Sequence, residues 1–139
     1  MTDLRISALT SPTSEQLHAI IALYRQAGWW PSQGAEDYAQ LSRLVRQSHC
    51  FVVAMAKGEI IGMGRAISDG VSDAYVQDVT VDPAYRHLGV GTLLIQHILE
   101  RLRADGIGWI ALIAERGSSP FYTNSGFEEM TNAAPMILK

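Results

Sequence analysis

The sequence predicts an α/β chain of the α+β kind: a mixed, mostly antiparallel central sheet of six to seven strands flanked by about four helices. Three observations carry that expectation. Short apolar or β-branched runs recur at residues 4–8, 50–57, 59–68, 74–81 and 109–114, each too short for a stable helix. Longer stripes with apolar residues three and four apart stand between them. The resulting order, β-α-α-β-β-β-α-β-α-β-β, interleaves the two kinds of element, and interleaved elements bury their apolar faces as helices laid on a sheet.

Each element has a local reason. Leu4, Ile6 and Ala8 alternate as a first strand. Ser11-Pro12-Thr13-Ser14 breaks it, and Thr13 or Ser14 can cap a helix with Leu17, Ile20, Ile21 and Tyr24 on one side, closed by Gly28. Residues 29–34, Trp-Trp-Pro-Ser-Gln-Gly, read as a loop. Tyr38, Leu41, Leu44 and Val45 mark a second amphipathic helix running to about Gln47.

Two apolar strands flank Gly58, and Asp69-Gly70 turns the chain into a third, residues 74–81. A helix over 88–104 turns Leu94, Ile95, Ile98, Leu99 and Leu102 inward and ends at Gly106. Residues 109–114 form a buried strand. Ser118-Ser119-Pro120 opens a short helix that Gly126 ends, and 127–130 and 135–138 are the closing strands.

At 139 residues the chain is read as one domain, 1–139, since domains cluster near ~100–150 residues. A net charge of -3 speaks against a nucleic-acid partner, which selects a basic face. The single cysteine, Cys50, forms no intramolecular disulfide and reads as a small core residue. The four histidines show no metal-ligand spacing, and no apolar run approaches the ~20 residues of a spanning helix. The expectation is a cytoplasmic protein with no metal and no membrane partner.

Chemistry concentrates where the third strand of the group meets the long helix. Gly89 and Gly91 stand at the helix mouth, with Arg86 and His87 beside them. A helix start leaves N–H groups unpaired and partly positive, and glycines let a phosphate approach them without meeting a Cβ. Residues 86–92 are therefore expected to hold a phosphate or pyrophosphate. The dinucleotide fingerprint needs a third glycine where Leu94 stands, and the triphosphate loop needs a Gly-Lys-Ser/Thr that is missing. A plain strand-to-helix turn is the competing reading.

Arg86-His87-Leu88-Gly89-Val90-Gly91 resembles the Gln/Arg-x-x-Gly-x-Gly/Ala signature of the GNAT superfamily of acetyl-coenzyme A dependent N-acetyltransferases. Phe121-Tyr122-Thr123-Asn124-Ser125-Gly126-Phe127 is similar to that family's second signature, Phe-Tyr-x-x-x-Gly-Phe, and follows in the family's order. The resemblance is strong over residues 50–139 and rests on helix count before that. Gly62-Met63-Gly64-Arg65 and Gln77-Asp78-Val79 further resemble a subgroup that includes plant and cyanobacterial serotonin or arylalkylamine N-acetyltransferases.

The resemblance implies acetyl-coenzyme A as cosubstrate, held by Val79, Thr80, Val81, Arg86, His87, Leu88, Gly89, Val90, Gly91, Thr92, Phe121 and Tyr122. Direct transfer to a primary amine then sets three tasks. An amine of pKa ~10.4 is free in only about one molecule in ~2,500 at pH 7, which adds roughly 4–5 kcal/mol to the barrier. The resemblance points to Asp78 as the base, with Asp69, Asp73 and Glu115 as other carboxylates; a structural pair with Arg65 competes for Asp78. The N–H of Val79 is implied as the donor to the thioester oxygen, a role worth ~2.7–4 kcal/mol. Tyr122 is implied as the acid for the leaving thiolate, with ring packing as its bland alternative.

Trp29 and Trp30, supported by Tyr38, suit an aromatic wall for the amine, though one of them is expected to plug the helices; Arg65 and Asp69 complete the substrate list. Tyr85 resembles a second functional position, with loop packing as its alternative. A small-molecule amine is the expected acceptor. A protein lysine or N-terminus, or a non-catalytic acyl-coenzyme A sensor, is the alternative. Many relatives are homodimers, so a second copy is an expected partner.

Overall fold

The computed structural model describes residues 3–31 and 38–139; residues 32–34 of the expected loop lie outside them. The order is β1 (Arg5–Ala8), α1 (Ser14–Gln26), α2 (Tyr38–Gln47), β2 (Cys50–Ala56), β3 (Glu59–Ser68), β4 (Asp73–Val81), a 3-10 turn (Pro83–Tyr85), α3 (Val90–Ala104), β5 (Trp109–Ala111) and α4 (Ser119–Thr123). One sheet runs in the order β1-β2-β3-β4-β5. Its first three pairs are antiparallel, and β4 and β5 are parallel.

The sheet carries a core on each face. On one, α3 buries Leu94, Ile95, Ile98 and Leu102 against Val52, Ala54, Ala66, Ala74 and Val76. Each such aliphatic side chain contributes on the order of 1.5–3 kcal/mol. On the other, α1 and α2 cover Phe51, Val53 and Met63 with Leu17, Ile20, Ile21, Tyr24, Leu41 and Val45. A capping box starts α1: the Gln16 N–H donates to Thr13 Oγ1 at 3.1 Å, and the Thr13 N–H to Gln16 Oε1 at 2.8 Å.

Two glycines in β3 let α3 settle closely. A Cβ at Gly62 would stand 3.2 Å from Leu94 Cδ1, and one at Gly64 would stand 3.0 Å from Ile98 Cδ1 and 3.1 Å from Val79 Cγ2. Between the pairs Met63↔Thr80 and Arg65↔Gln77, Gly64 alone faces two residues, Asp78 and Val79. That is a β-bulge, and Asp78 takes the left-handed φ of +59° within it.

Among the described residues five strands form where six to seven were expected. Residues 127–130 and 135–138 make no strand, since they form no ladder with any described strand; Met136, Ile137 and Leu138 are 82–97% exposed. For the same reason β5 stops at Ala111, short of the expected Ala114, as β4 diverges from it after Tyr75. The long helix begins at Val90, two residues later than expected, since His87 and Gly89 take φ of +64° and +83° and hold the loop out of helical geometry. Among the described residues, no helix is long and apolar enough to cross a membrane, and no three His, Cys, Asp or Glu side chains are grouped to hold a metal.

Candidate active site

The divergence of β4 and β5 makes the site. Their parallel register covers only Asp73–Tyr75 against Trp109–Ala111. Beyond it the β5-facing edge of β4 is open, and a cavity of about 1010 Å³ occupies the wedge. Residues 76–81 of β4 line one side, and Leu112, Ile113, Glu115 and Arg116 the other. The mouth of α3 closes one end, with Arg86, His87, Gly89, Val90, Gly91 and Thr92 on the wall.

That mouth suits an anion. Gly89 is the N-cap of a 15-residue helix and supplies no side-chain cap, so the first-turn N–H groups have no side-chain acceptor. Arg86 donates from Nε to the Val81 carbonyl at 3.1 Å, which ties the loop to the end of β4. A Cβ on Gly91 would stand 3.0 Å from Phe121 Cζ, so glycine here lets α4 approach α3. These donors, the unpaired strand edge and the wedge together fit an extended molecule with a diphosphate end, the edge of β4 taking it as an added strand.

Tyr122 lines the same cavity from α4, its ring edge-on to Phe121 and Phe127 at 4.9 and 6.0 Å. Burial, and secondarily the Glu115 carboxylate, push its phenol above the usual range. At neutral pH the hydroxyl is thus held protonated.

Asp78 sits in the bulge as the acceptor of a fixed network. Arg65 Nε donates to Asp78 Oδ2 at 2.6 Å, and the Tyr24 hydroxyl donates to the same oxygen at 2.7 Å. Arg65 Nη1 donates to Ser48 Oγ at 3.3 Å. Both carboxylate and guanidinium are largely shielded, at 18% and 16% exposed. Burial first and then the Asp78 charge drive the Tyr24 phenol far upward. Asp78 Oδ1 makes no hydrogen bond among the described residues, and Asp78 lines the cavity. The Arg65 pairing expected as the competing reading is formed.

Several expected site residues lie elsewhere. Asp69 is at the β3–β4 turn, where Oδ1 accepts the N–H groups of Val71 and Ser72 at 2.8 Å each. Those amides draw its carboxyl down to about 2, so it holds a turn and is absent from the cavity wall. Asp73, on the same hairpin, is also absent from the wall. Arg65 is spent on Asp78. Trp30 stacks on Tyr24 at 4.5 Å in the α1–α2 core, whereas Trp29 alone of the pair lines the cavity. Tyr38 packs in that core and shares a hydrogen bond with His18 at 3.2 Å. Leu88 is exposed outside the wall, and Tyr85 lies on it. His49, one of the four histidines, has a side chain 15% exposed and bonded to Asp105 at 2.7 Å.

Sequence reasoning missed Tyr24, Ser48, Gly64 and Arg116. Tyr24 was read as core by its spacing, yet a buried phenol needs an acceptor. Two glycines inside one strand, Gly62 and Gly64, signal a close approach or bulge. Arg116 donates to the Ala27 carbonyl at 3.0 Å and joins the cavity wall to α1; no motif marks it.

The model of the acetyltransferase (GNAT) family matches residues 13–127. "Histone acetyltransferase TAP1" of Glycine max is 44% identical over 69 residues, 50% of this chain and 30% of that protein. "Serotonin N-acetyltransferase 2, chloroplastic" of Oryza sativa subsp. japonica is 39% identical over 70 residues, 50% of this chain and 35% of that protein. Each match spans about a third of the relative's length. The crystal structure of SA2161, a protein of unknown function and probable acetyltransferase from meticillin-resistant Staphylococcus aureus, has a TM-score of 0.81 at 23% identity, covering 98% of each chain, which shows the shared fold.

Proposed function

The chain belongs to the acetyltransferase (GNAT) family, and from that premise we propose that it transfers an acetyl group directly from acetyl-coenzyme A to a small primary amine carrying a cationic or aromatic group. One observation carries the reading: the glycine mouth of α3, the open edge of β4, Tyr122 and Asp78 line one cavity. The cosubstrate supplies a thioester whose carbonyl carbon accepts the amine nitrogen.

The protein's residues then have distinct work. The amides of 87–92 and Arg86 bind the diphosphate, and β4 residues 79–81 bind the arm. Val79 has no Cα partner of its own in the β3–β4 register, and its N–H donates to the carbonyl oxygen in this reading as charge grows there. Asp78 Oδ1 and Glu115 attract the ammonium form and accept its proton, directly or through water. Tyr122 holds a proton for the departing sulfur, and Trp29 offers an aromatic face. The cavity wall therefore carries acidic side chains in Asp78 and Glu115 and basic ones in Arg86 and Arg116.

The test is coenzyme A release across a panel of aliphatic, aromatic and peptide amines. Small amines are expected to turn over, peptides poorly. Tyr122→Phe is expected to lower kcat by ~10²–10⁴ with thermal stability nearly unchanged. Unchanged kcat in that variant refutes the acid role. Binding without turnover of any amine refutes catalysis, and preferred turnover of peptides moves the acceptor to protein.

A further inference from the structure

We infer that Arg116 reads a carboxylate on the acceptor, which makes that acceptor a free amino acid with an aromatic side chain. The inference rests on the acetyl-transfer reading above and narrows its acceptor to the aromatic kind. The first observation is how Arg116 is held. Its Nη1 donates to the Ala27 carbonyl at 3.0 Å, at the C-cap of α1. A Cβ on Gly28 would stand 3.5 Å from Nη2, so the guanidinium lies against the end of that helix. Helix carbonyl ends are partly negative and hold a cation without cancelling its charge. Arg116 also keeps a left-handed φ of +55°, which L side chains seldom adopt.

The second observation is what the anchor leaves over. Among the described residues, Nε and Nη2 of Arg116 make no hydrogen bond, and no carboxylate pairs with it. Those two nitrogens form one edge of the guanidinium plane, the fork that meets a carboxylate through two parallel bonds. The other arginines near the cavity are placed for different work. Arg65 is committed to Asp78, and Arg86 ties the loop at the mouth of α3 to the Val81 carbonyl.

The third observation is the company Arg116 keeps. Its anchor, Ala27, stands two residues before Trp29, and Trp29 meets Tyr24 edge-on at 6.2 Å. The Tyr24 hydroxyl in turn donates to Asp78 at 2.7 Å. The end of α1 thus gathers a cation, an aromatic face and a carboxylate that all line one cavity, and Glu115, beside Arg116 in the chain, adds a second carboxylate. An aromatic amino acid is the complement of that set. Its ammonium answers Asp78 and Glu115, its carboxylate answers Arg116, and its ring answers Trp29. A diamine would instead bring a second ammonium towards the guanidinium, a like-charge contact that opposes binding.

The test compares acceptors that differ only by the carboxylate, tryptophan with tryptamine and phenylalanine with phenethylamine, by coenzyme A release. The native chain is expected to give the amino acid the higher kcat/KM. Arg116→Gln is expected to cost the amino acid ~10–100-fold more in kcat/KM than the amine, mostly through KM, the worth of a charge-assisted fork. Arg116→Lys, which keeps the charge and loses the fork, is expected to show a smaller loss of the same sign. A purely structural role for Arg116 lowers both members of a pair alike, so equal losses overturn the inference. A native preference for the amines, or turnover of other amines but of neither member of any pair, also overturns it and leaves acetyl transfer standing. Turnover of no amine at all overturns acetyl transfer itself, and this inference with it.

Discussion

Removing one oxygen from Tyr24 is the sharpest probe of how the bulge is held. The Tyr24 hydroxyl donates to a carboxylate at 2.7 Å, and Asp78 is 18% exposed. A hydrogen bond to a charged acceptor contributes about 1.5–3 kcal/mol net. Tyr24→Phe keeps the ring, its 4.5 Å stack on Trp30 and the Arg65–Asp78 pair, so it opens no cavity and strands no charge. The expected cost is thus about 1.5–3 kcal/mol, seen as a fall of roughly 1 M in the urea midpoint for an m-value near ~2 kcal/mol/M.

The background decides the sign. In Asp78→Ala the Tyr24 hydroxyl loses its acceptor inside the core, and a stranded buried donor costs about 1–3 kcal/mol. There Tyr24→Phe should be neutral or stabilising. A double-mutant cycle by urea unfolding reads both numbers. Equal costs of Tyr24→Phe in the two backgrounds would refute the network. In turnover assays the same variant should lower kcat roughly tenfold with the KM for acetyl-coenzyme A unchanged, as the bulge relaxes and Val79 turns.

Three further expectations follow from other parts of the molecule. Gly91→Val would drive side-chain atoms into Phe121, whose Cζ is 3.0 Å from a Cβ at that position, and should raise the KM for acetyl-coenzyme A at least tenfold, read by initial rates. Tyr24 and Tyr122 both have phenols raised on folding. Their contribution is complete below the unfolded phenol pKa of about 10 and is lost as pH rises through the folded values. Urea midpoints should therefore fall above pH ~10, less steeply in Tyr24→Phe. Asp69→Ala should leave the KM for amine unchanged while speeding hydrogen exchange at Val71 and Ser72, whose amides it accepts.

Motifs whose chemistry is local were legible in the sequence. The glycine mouth and Phe-Tyr segment are contiguous, and they reach one cavity because β4 leads directly into α3. The helices were legible from their stripes and caps. What stayed hidden depends on partners distant in the chain. Tyr24 and Asp78 are 54 residues apart, and only the fold makes one the donor of the other. Asp69 had the right charge and a nearby position, but its turn consumes the carboxylate locally. The closing strands had strand-like residues, yet a ladder is a property of two segments, and periodicity reports on one. The two tryptophans are adjacent but divide between a core and a cavity, a choice set by where α1 ends.

The wedge has a kinetic consequence. Trp29 and Arg116 line the slot together with the mouth of α3 and Phe121, so under the proposed direct transfer one cavity holds both reactants at once. In that proposal neither has to depart before the other arrives, and the acyl group makes no stop on the chain. Double-reciprocal plots for such an arrangement intersect, and a single molecule joining both reactants would fill the slot as one inhibitor.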